Sequence, residues 1–195
     1  MPQNDPFPSN PETPDDIATF RREIEQRFGS DKALGVYLED ETGARYTLEE
    51  GEQIWRELGD KGPDTTSYFP DGTYAVVCTN YAAQILYALP DRTQIMGFAN
   101  VDNPTSRVAK EEIHPGGHDF AVIDGRWLVD PWIRLVASEG DQICFDLHDE
   151  KDAAIVLRDY SPQSCWSRLP EAEDEAKLYL EKQKPGVKNT DTLSP

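Results

Sequence analysis

Length, composition and charge limit the classes to which this protein can belong. The chain has 195 residues, which fits one domain, and 37% of them are hydrophobic, which is enough for a single core. The formal net charge of −18 argues against binding to nucleic acid or to an anionic membrane surface. It permits a basic protein substrate or partner, although solubility alone would also account for it. Since no apolar run reaches about eighteen residues, no transmembrane helix is predicted.

The cysteines and the N-terminus bear on the compartment. The first 16 residues contain no Lys or Arg and no apolar block, so the sequence predicts no secretory signal. Cys78, Cys144 and Cys165 are widely spaced and odd in number, which does not fit a disulfide framework. We therefore expect free thiols in the cytoplasm, or export without a cleavable signal peptide, as for an injected bacterial effector.

The N-terminal part predicts a leader followed by helices and short strands. Residues 1–13 are polar and rich in proline, which is typical of a disordered leader. Thr13 then provides an N-cap for a helix with proline at its first position and acids in its first turn, and Gly29 ends this helix. Further on, the sequence predicts strands over 33–38 and 44–47, a helix with a capping box over 48–58, and a substrate-facing loop over 60–72.

Cys78 opens the next predicted helix. The apolar residues behind it form one stripe at helical spacing, and Pro90 stops the helix; they are Tyr81, Ala82, Ile85, Leu86 and Leu89. In the first turn, unpaired N–H groups and the positive end of the helix dipole favour a thiolate. A thiolate nucleophile requires a neighbouring base that a third group holds, and His118 and Asp130 are the natural candidates.

The C-terminal part predicts an antiparallel sheet. Strands are predicted over 93–99, 118–123, 126–130, 142–147 and 153–158, with an irregular lid or binding loop over 100–117 and a last helix from about 171 to 182. The expected fold is therefore α+β, with N-terminal helices and a Cys-bearing helix packed on an antiparallel β-sheet. We expect a single catalytic domain over 14–182 and a flexible tail over 183–195.

The register of one hairpin decides whether the candidate side chains share a face. Ile123-Asp124-Gly125-Arg126 strongly predicts a hairpin. A strict two-residue turn would put Asp130 and His118 on opposite faces of the sheet. A three-residue loop over 123–125, with Gly125 left-handed and a bulge, would pair them on one face. A Cys-His-Asp triad requires that second register or an equivalent local shift, and we predict it.

In such a triad His118 takes the proton of the thiol and later gives it to the leaving amine. Asp130 accepts from the other ring nitrogen and stabilises the imidazolium. The backbone N–H of Cys78 is available to the oxyanion, and a second donor is expected from a side chain, for which Tyr74, Gln53 and Asn80 are candidates.

Two segments carry a resemblance to a known superfamily. The run Cys78-Thr79-Asn80-Tyr81-Ala82 and the segment from Gly117-His118 to Asp130-Pro131 resemble the core of papain/transglutaminase-like cysteine enzymes. Bacterial members include glutamine deamidases that act as effectors or toxins, transglutaminases, peptidases and acyltransferases. The resemblance implies that Cys78 is the nucleophile, His118 the base and Asp130 the group that orients it. It also implies a thiol amidohydrolase or acyl-transfer enzyme that needs no cofactor, with protein glutamine side chains as the favoured substrate and peptide bonds as the other.

Other interpretations of these residues remain open. Cys78 could be a buried core residue, and the chain could be a non-enzymatic acidic binding module, such as an inhibitor or immunity-type partner of a basic protein. Zinc could be bound by the pairs His114/His118 and Cys144/His148, but Pro115-Gly116-Gly117 prevents the helix that would align the first pair. The sequence therefore favours no metal site.

Overall fold

The computed structural model describes residue 7 and residues 11–102, 104–110, 116–136 and 142–183. Within these residues the fold is α+β, with helices packed on antiparallel sheets. The helices are α1 (Pro14–Phe28), α2 (Leu48–Leu58), α3 (Cys78–Ala88), α4 (Arg107–Lys110), α5 (Ile133–Val136), α6 (Glu150–Tyr160) and α7 (Pro170–Gln183). The strands are β1 (Tyr37–Asp40), β2 (Arg45–Tyr46), β3 (Thr65–Tyr68), β4 (Thr93–Ala99), β5 (Gly117–Ile123), β6 (Trp127–Val129), β7 (Cys144–Asp146) and β8 (Ser167–Arg168). In this part of the chain, no helix has both the length and the apolar character needed to cross a membrane.

Capping residues set the starts of the first two helices, as the sequence predicts. The Thr13 side chain accepts a hydrogen bond from the Asp16 N–H at 3.2 Å, and α1 buries Phe20, Ile24 and Phe28. At α2, Thr47 and Glu50 form both bonds of a capping box. These local signals depend only on residues three positions apart, so they can be recognised without any tertiary information.

Two antiparallel sheets form the β part of the fold. The larger sheet has the strand order β7-β6-β5-β4-β8, and the smaller one has β2-β1-β3. One face of the larger sheet packs under α1, α3 and α7, where Ile95, Ala121 and Trp127 are fully buried. The opposite face packs under α6, with Phe120 and Leu128 in the core. Both faces of the larger sheet are therefore covered, and a polar side chain on its inner strand β5, that of His118, is removed from water.

Residues 150–160 form a helix where the sequence predicts a strand over 153–158, so that prediction is wrong. Asp149 caps the helix by accepting from the N–H groups of Lys151 and Asp152 at 3.0 and 3.1 Å. Val156 and Tyr160 follow at helical spacing and are buried against the sheet. Ile155 and Val156 favour a strand only weakly, and the cap together with burial at every fourth residue outweighs that preference.

The remaining differences concern short elements and the N-terminal segment. The predicted loop over 60–72 contains β3, and β8 was not predicted; both are short strands that pair with distant partners. Phe7 belongs to the predicted disordered leader, yet its ring is buried against Phe20 and Phe28. The predicted lid over 100–117 is described only in part and includes α4, and residues 184–195 of the predicted tail lie outside the described residues.

Candidate active site

The β5–β6 hairpin places two of the three predicted side chains on one face of the sheet. Its turn is centred on Asp124 and Gly125, both with positive φ (53° and 66°), and the Arg126 N–H donates to the Ile123 carbonyl at 3.0 Å. Ile123 pairs with Trp127, so the loop contains residues 124–126. The predicted loop over 123–125 is therefore wrong by one residue, and the predicted direct pairing of His118 with Asp130 is wrong as well, by two residues on β5.

The shared face is nevertheless confirmed. Val122 pairs with Leu128, and continuing this register places Asp130 opposite Phe120. His118 lies two residues before Phe120 on β5, so its side chain points to the same side as Asp130. The His118 Nε2 and Asp130 Oδ2 atoms are 2.7 Å apart, and the two side chains are 0% and 1% exposed. A diagonal contact thus replaces the predicted direct pair.

The first residue of α3 brings a sulfur atom to this pair. Cys78 is 4% exposed, and its Sγ accepts a hydrogen bond from the Asp119 backbone N–H at 3.4 Å. Val77, at the N-cap, makes no side-chain cap, so no N-cap side chain occupies the first N–H groups of α3. Cys78 also lines a cavity of about 520 Å³, so the sulfur borders open space although it is largely buried.

The charges around His118 favour its protonated form. Burial lowers the pKa of the imidazole, but the Asp130 carboxylate, by its charge and its hydrogen bond, and the Cys78 side chain together raise it to about 10. Nε2 bonds Asp130, whereas Nδ1 is buried and makes no hydrogen bond. Nδ1 is therefore the ring nitrogen that remains for Cys78.

The stability of the protein should depend on the protonation of His118. Because its pKa rises from 6.5 to about 10 on folding, its ion-pair contribution is complete below pH 6.5 and is lost as the pH rises towards 10. We expect the free energy of unfolding of the wild type to fall over this window by about 1 kcal/mol per pH unit more than that of His118→Gln. Denaturant titrations from pH 6 to about pH 10 measure this. Parallel curves for the two proteins would contradict it.

The walls of the cavity carry carboxylates and closely packed backbone. The carboxylate of Asp119 accepts a hydrogen bond from the Thr79 hydroxyl, and both residues line the cavity together with Asp102. A Cβ at Gly97 would clash with the Asp119 carboxylate, and a Cβ at Gly117 would clash with the Phe98 carbonyl. No basic side chain lines this cavity among the described residues.

The candidates for a second oxyanion donor are engaged elsewhere in the described structure. The Gln53 amide donates to Glu57 at 2.8 Å, the Asn80 amide donates to the Tyr74 carbonyl at 2.6 Å, and the Tyr74 ring packs on Tyr68. None of the three lines the cavity at Cys78. Of the predicted donors, only the Cys78 N–H therefore lies beside it.

The structure also shows where Cys144, Cys165 and the zinc ligands considered from the sequence lie. Cys144 is buried on β7, and this burial raises the pKa of its thiol well above the usual range, whereas Cys165 is half-buried and lines the same cavity as Cys78. His114 lies outside the described residues, and His118 is bonded to Asp130. Among the described residues, no group of at least three His, Cys, Asp or Glu side chains could hold a metal ion.

Two residues at this site were not identified from the sequence. Asp119 follows His118 directly, so the alternation of β5 predicts only that it lies on the opposite face from His118; its contact with Thr79 of α3 is seen in the structure. Tyr160 donates its hydroxyl to Asp130 at 2.8 Å, but it comes from the helix that was predicted as a strand. No family model, curated protein or solved structure matches this chain.

Proposed function

We propose that this protein is a thiol amidohydrolase or acyl-transfer enzyme in which Cys78, His118 and Asp130 form a catalytic triad of the papain/transglutaminase-like type. The observation that carries the proposal is the bonding of His118. Asp130 holds one ring nitrogen at 2.7 Å, while the other nitrogen has no hydrogen-bond partner and the Cys78 side chain raises the pKa of the imidazole. A nucleophile, its base and the group that orients the base are thus adjacent.

The chemistry follows from these positions. His118 takes the thiol proton through Nδ1, and the Cys78 thiolate attacks the carbonyl carbon of an amide. The N–H groups at the start of α3 stabilise the oxyanion that forms on the carbonyl oxygen. His118 returns its proton to the leaving nitrogen, the carbon–nitrogen bond breaks, and a thioester remains on Cys78. Water or an amine then gives a proton to His118 and attacks the thioester; the carbon–sulfur bond breaks, the Cys78 sulfur is released, and the product is a carboxylic acid or a new amide.

The cavity indicates what kind of amide fits. Its volume of about 520 Å³ is enough for one side chain with adjoining backbone. Asp102 and Asp119 line it, and neither carboxylate pairs with a cation within the described residues. An uncharged glutamine side chain flanked by Lys or Arg suits such a cavity better than one flanked by acids, because like charges repel at close range. The net charge of −18 acts in the same direction.

The second candidate is a non-enzymatic acidic module that binds a basic protein. That function needs no cavity at Cys78 and no base beside the thiol. The cavity that Cys78 lines and the effect of Cys78 on the pKa of His118 favour the enzyme instead.

The test is to incubate the protein with glutamine-containing peptides, with and without a primary amine, and to identify the products by mass spectrometry. We expect conversion of glutamine to glutamate, or incorporation of the amine, with peptides flanked by lysine reacting about tenfold faster than peptides flanked by glutamate. Peptides with asparagine in place of glutamine serve as the matched control for side-chain length. Cleavage of the main chain would assign the enzyme as a peptidase, and no product with any peptide would contradict the proposal.

A further inference from the structure

Tyr160 contacts the triad from a third element of the fold. This residue is 1% exposed at the end of α6, and its hydroxyl donates to Asp130 Oδ2 at 2.8 Å. The same oxygen atom lies 2.7 Å from His118 Nε2. The same Asp130 oxygen atom is therefore hydrogen-bonded to both the His118 imidazole and the Tyr160 hydroxyl.

The position of the phenol is fixed independently of Asp130. Its ring packs edge-to-face on Phe120 and Phe145, with centroid distances of 5.4 and 6.0 Å. The Tyr160 backbone carbonyl accepts a hydrogen bond from the Trp166 indole at 2.9 Å. The aromatic cluster therefore holds the hydroxyl beside Asp130, and removing the hydroxyl would leave the ring in place.

The shared oxygen makes the phenol relevant to the base. Asp130 is 1% exposed and has no arginine or lysine partner among the described residues, so its charge depends on hydrogen-bond donors. A donor to a carboxylate oxygen reduces the negative charge that this oxygen presents to its other partner. The Tyr160 hydroxyl therefore weakens the attraction between Asp130 and His118 while keeping the carboxylate in one orientation.

We propose that Tyr160 is a positioning residue of the triad, which holds Asp130 and moderates how strongly the carboxylate stabilises the His118 imidazolium. The inference rests on the proposed function. An imidazolium that is held too strongly returns its proton reluctantly to the leaving nitrogen, whereas a carboxylate that is free to turn orients the imidazole poorly. Both effects lower the rate of the chemical step, and neither affects substrate binding, because Tyr160 does not line the cavity.

Several titratable groups surround His118 and Tyr160, and they affect the pKa that a titration of His118 would measure. His118 faces Asp130, Cys78 and Tyr160, and Tyr160 also lies near Asp159 and Arg107. Burial and the Asp130 charge raise the pKa of the Tyr160 hydroxyl well above its usual range, so it stays a donor across the range in which His118 titrates.

The experiment is Tyr160→Phe, with the His118 imidazole followed by NMR from about pH 5 to about pH 12. Loss of the hydroxyl should raise the pKa of His118 by about one unit, since Asp130 then acts on the imidazole alone. With a glutamine peptide, kcat should fall about tenfold and KM should stay unchanged. The matched control is Tyr81→Phe, which removes another buried hydroxyl that donates to a carboxylate, that of Asp31 at 2.7 Å. It should lower stability to a similar extent without moving the His118 titration.

A second variant shows whether Tyr160 acts through Asp130. In an Asp130→Asn background, Tyr160→Phe should change kcat less than twofold, because the shared carboxylate oxygen is already lost. A lower melting temperature with an unchanged His118 titration would make Tyr160 a purely structural residue and overturn the inference. The titration needs no substrate, so the two failures can be told apart: a shifted His118 pKa without turnover would contradict the proposed function, whereas turnover with an unshifted His118 pKa would contradict the role of Tyr160.

Discussion

Replacing Cys78 by alanine is expected to reduce turnover by about 10⁴-fold or more while the protein stays folded. The reason is that alanine cannot form the thioester, whereas the structure loses only one sulfur atom from a small cluster that includes Ala75, Tyr81 and Trp132. Turnover of a glutamine peptide and circular dichroism measure the two effects. Cys144→Ala is the matched control, because it removes a sulfur that is equally buried but lies on β7. It should leave kcat unchanged.

Alkylation of the native protein by iodoacetamide examines the same sulfur without a substrate. Cys78 should react before Cys144, because burial raises the pKa of the Cys144 thiol and keeps it protonated. His118→Gln should slow the labelling of Cys78 about tenfold and leave the labelling of Cys165 unaffected. The reason is that, of the three cysteines, Cys78 is the one that raises the pKa of His118. Labelling of all three cysteines at equal rates, and only after unfolding, would count against the catalytic role.

Asp130→Asn is expected to lower kcat by about 10²- to 10⁴-fold with a small change in KM. Asparagine has nearly the same shape and can still bond His118, but it carries no charge to stabilise the imidazolium and can fix the wrong tautomer. Steady-state kinetics with a glutamine peptide measure the loss, and it should exceed that of Tyr160→Phe, which keeps the carboxylate.

The control for Asp130→Asn is Asp146→Asn. Asp146 is also a buried carboxylate, held by Arg126 at 2.6 and 2.8 Å, but it lies on β7 and does not line the cavity at Cys78. Its substitution should destabilise the fold and leave kcat within twofold of wild type. Equal losses of kcat in both variants would mean that stability alone explains the effect, and Asp130 would lose its assigned role.

Local signals in the sequence predicted much of the frame around the site. The capping residues Thr13 and Thr47 mark the starts of α1 and α2, and the apolar stripe behind Cys78 marks α3. The turn at Asp124 and Gly125 marks the hairpin that carries His118 and Asp130. Each signal lies within a few residues of the feature it predicts, so no distant partner is needed to recognise it.

The elements that the sequence did not predict depend on distant partners. Strands β3 and β8 are short and exist because β1 and β4 pair with them. The register of the β5–β6 hairpin differs from the predicted one because Asp124 and Gly125 both adopt positive φ, so the turn is centred on them and the Arg126 N–H bonds to the Ile123 carbonyl. Phe7 is buried because α1 offers Phe20 and Phe28 to its ring.

The amino-acid sequence alone determined the order of the candidate residues and the position of Cys78 at the start of a helix, because helical spacing and helix-stop signals are local properties. It left two registers open for the hairpin that carries His118 and Asp130. Only the tertiary structure decided that Tyr160 and Asp119 belong to the site and that the register makes the His118–Asp130 contact diagonal. These features arise where α3, the sheet and α6 pack together. No spacing along the chain encodes a contact between residues 30 to 41 positions apart.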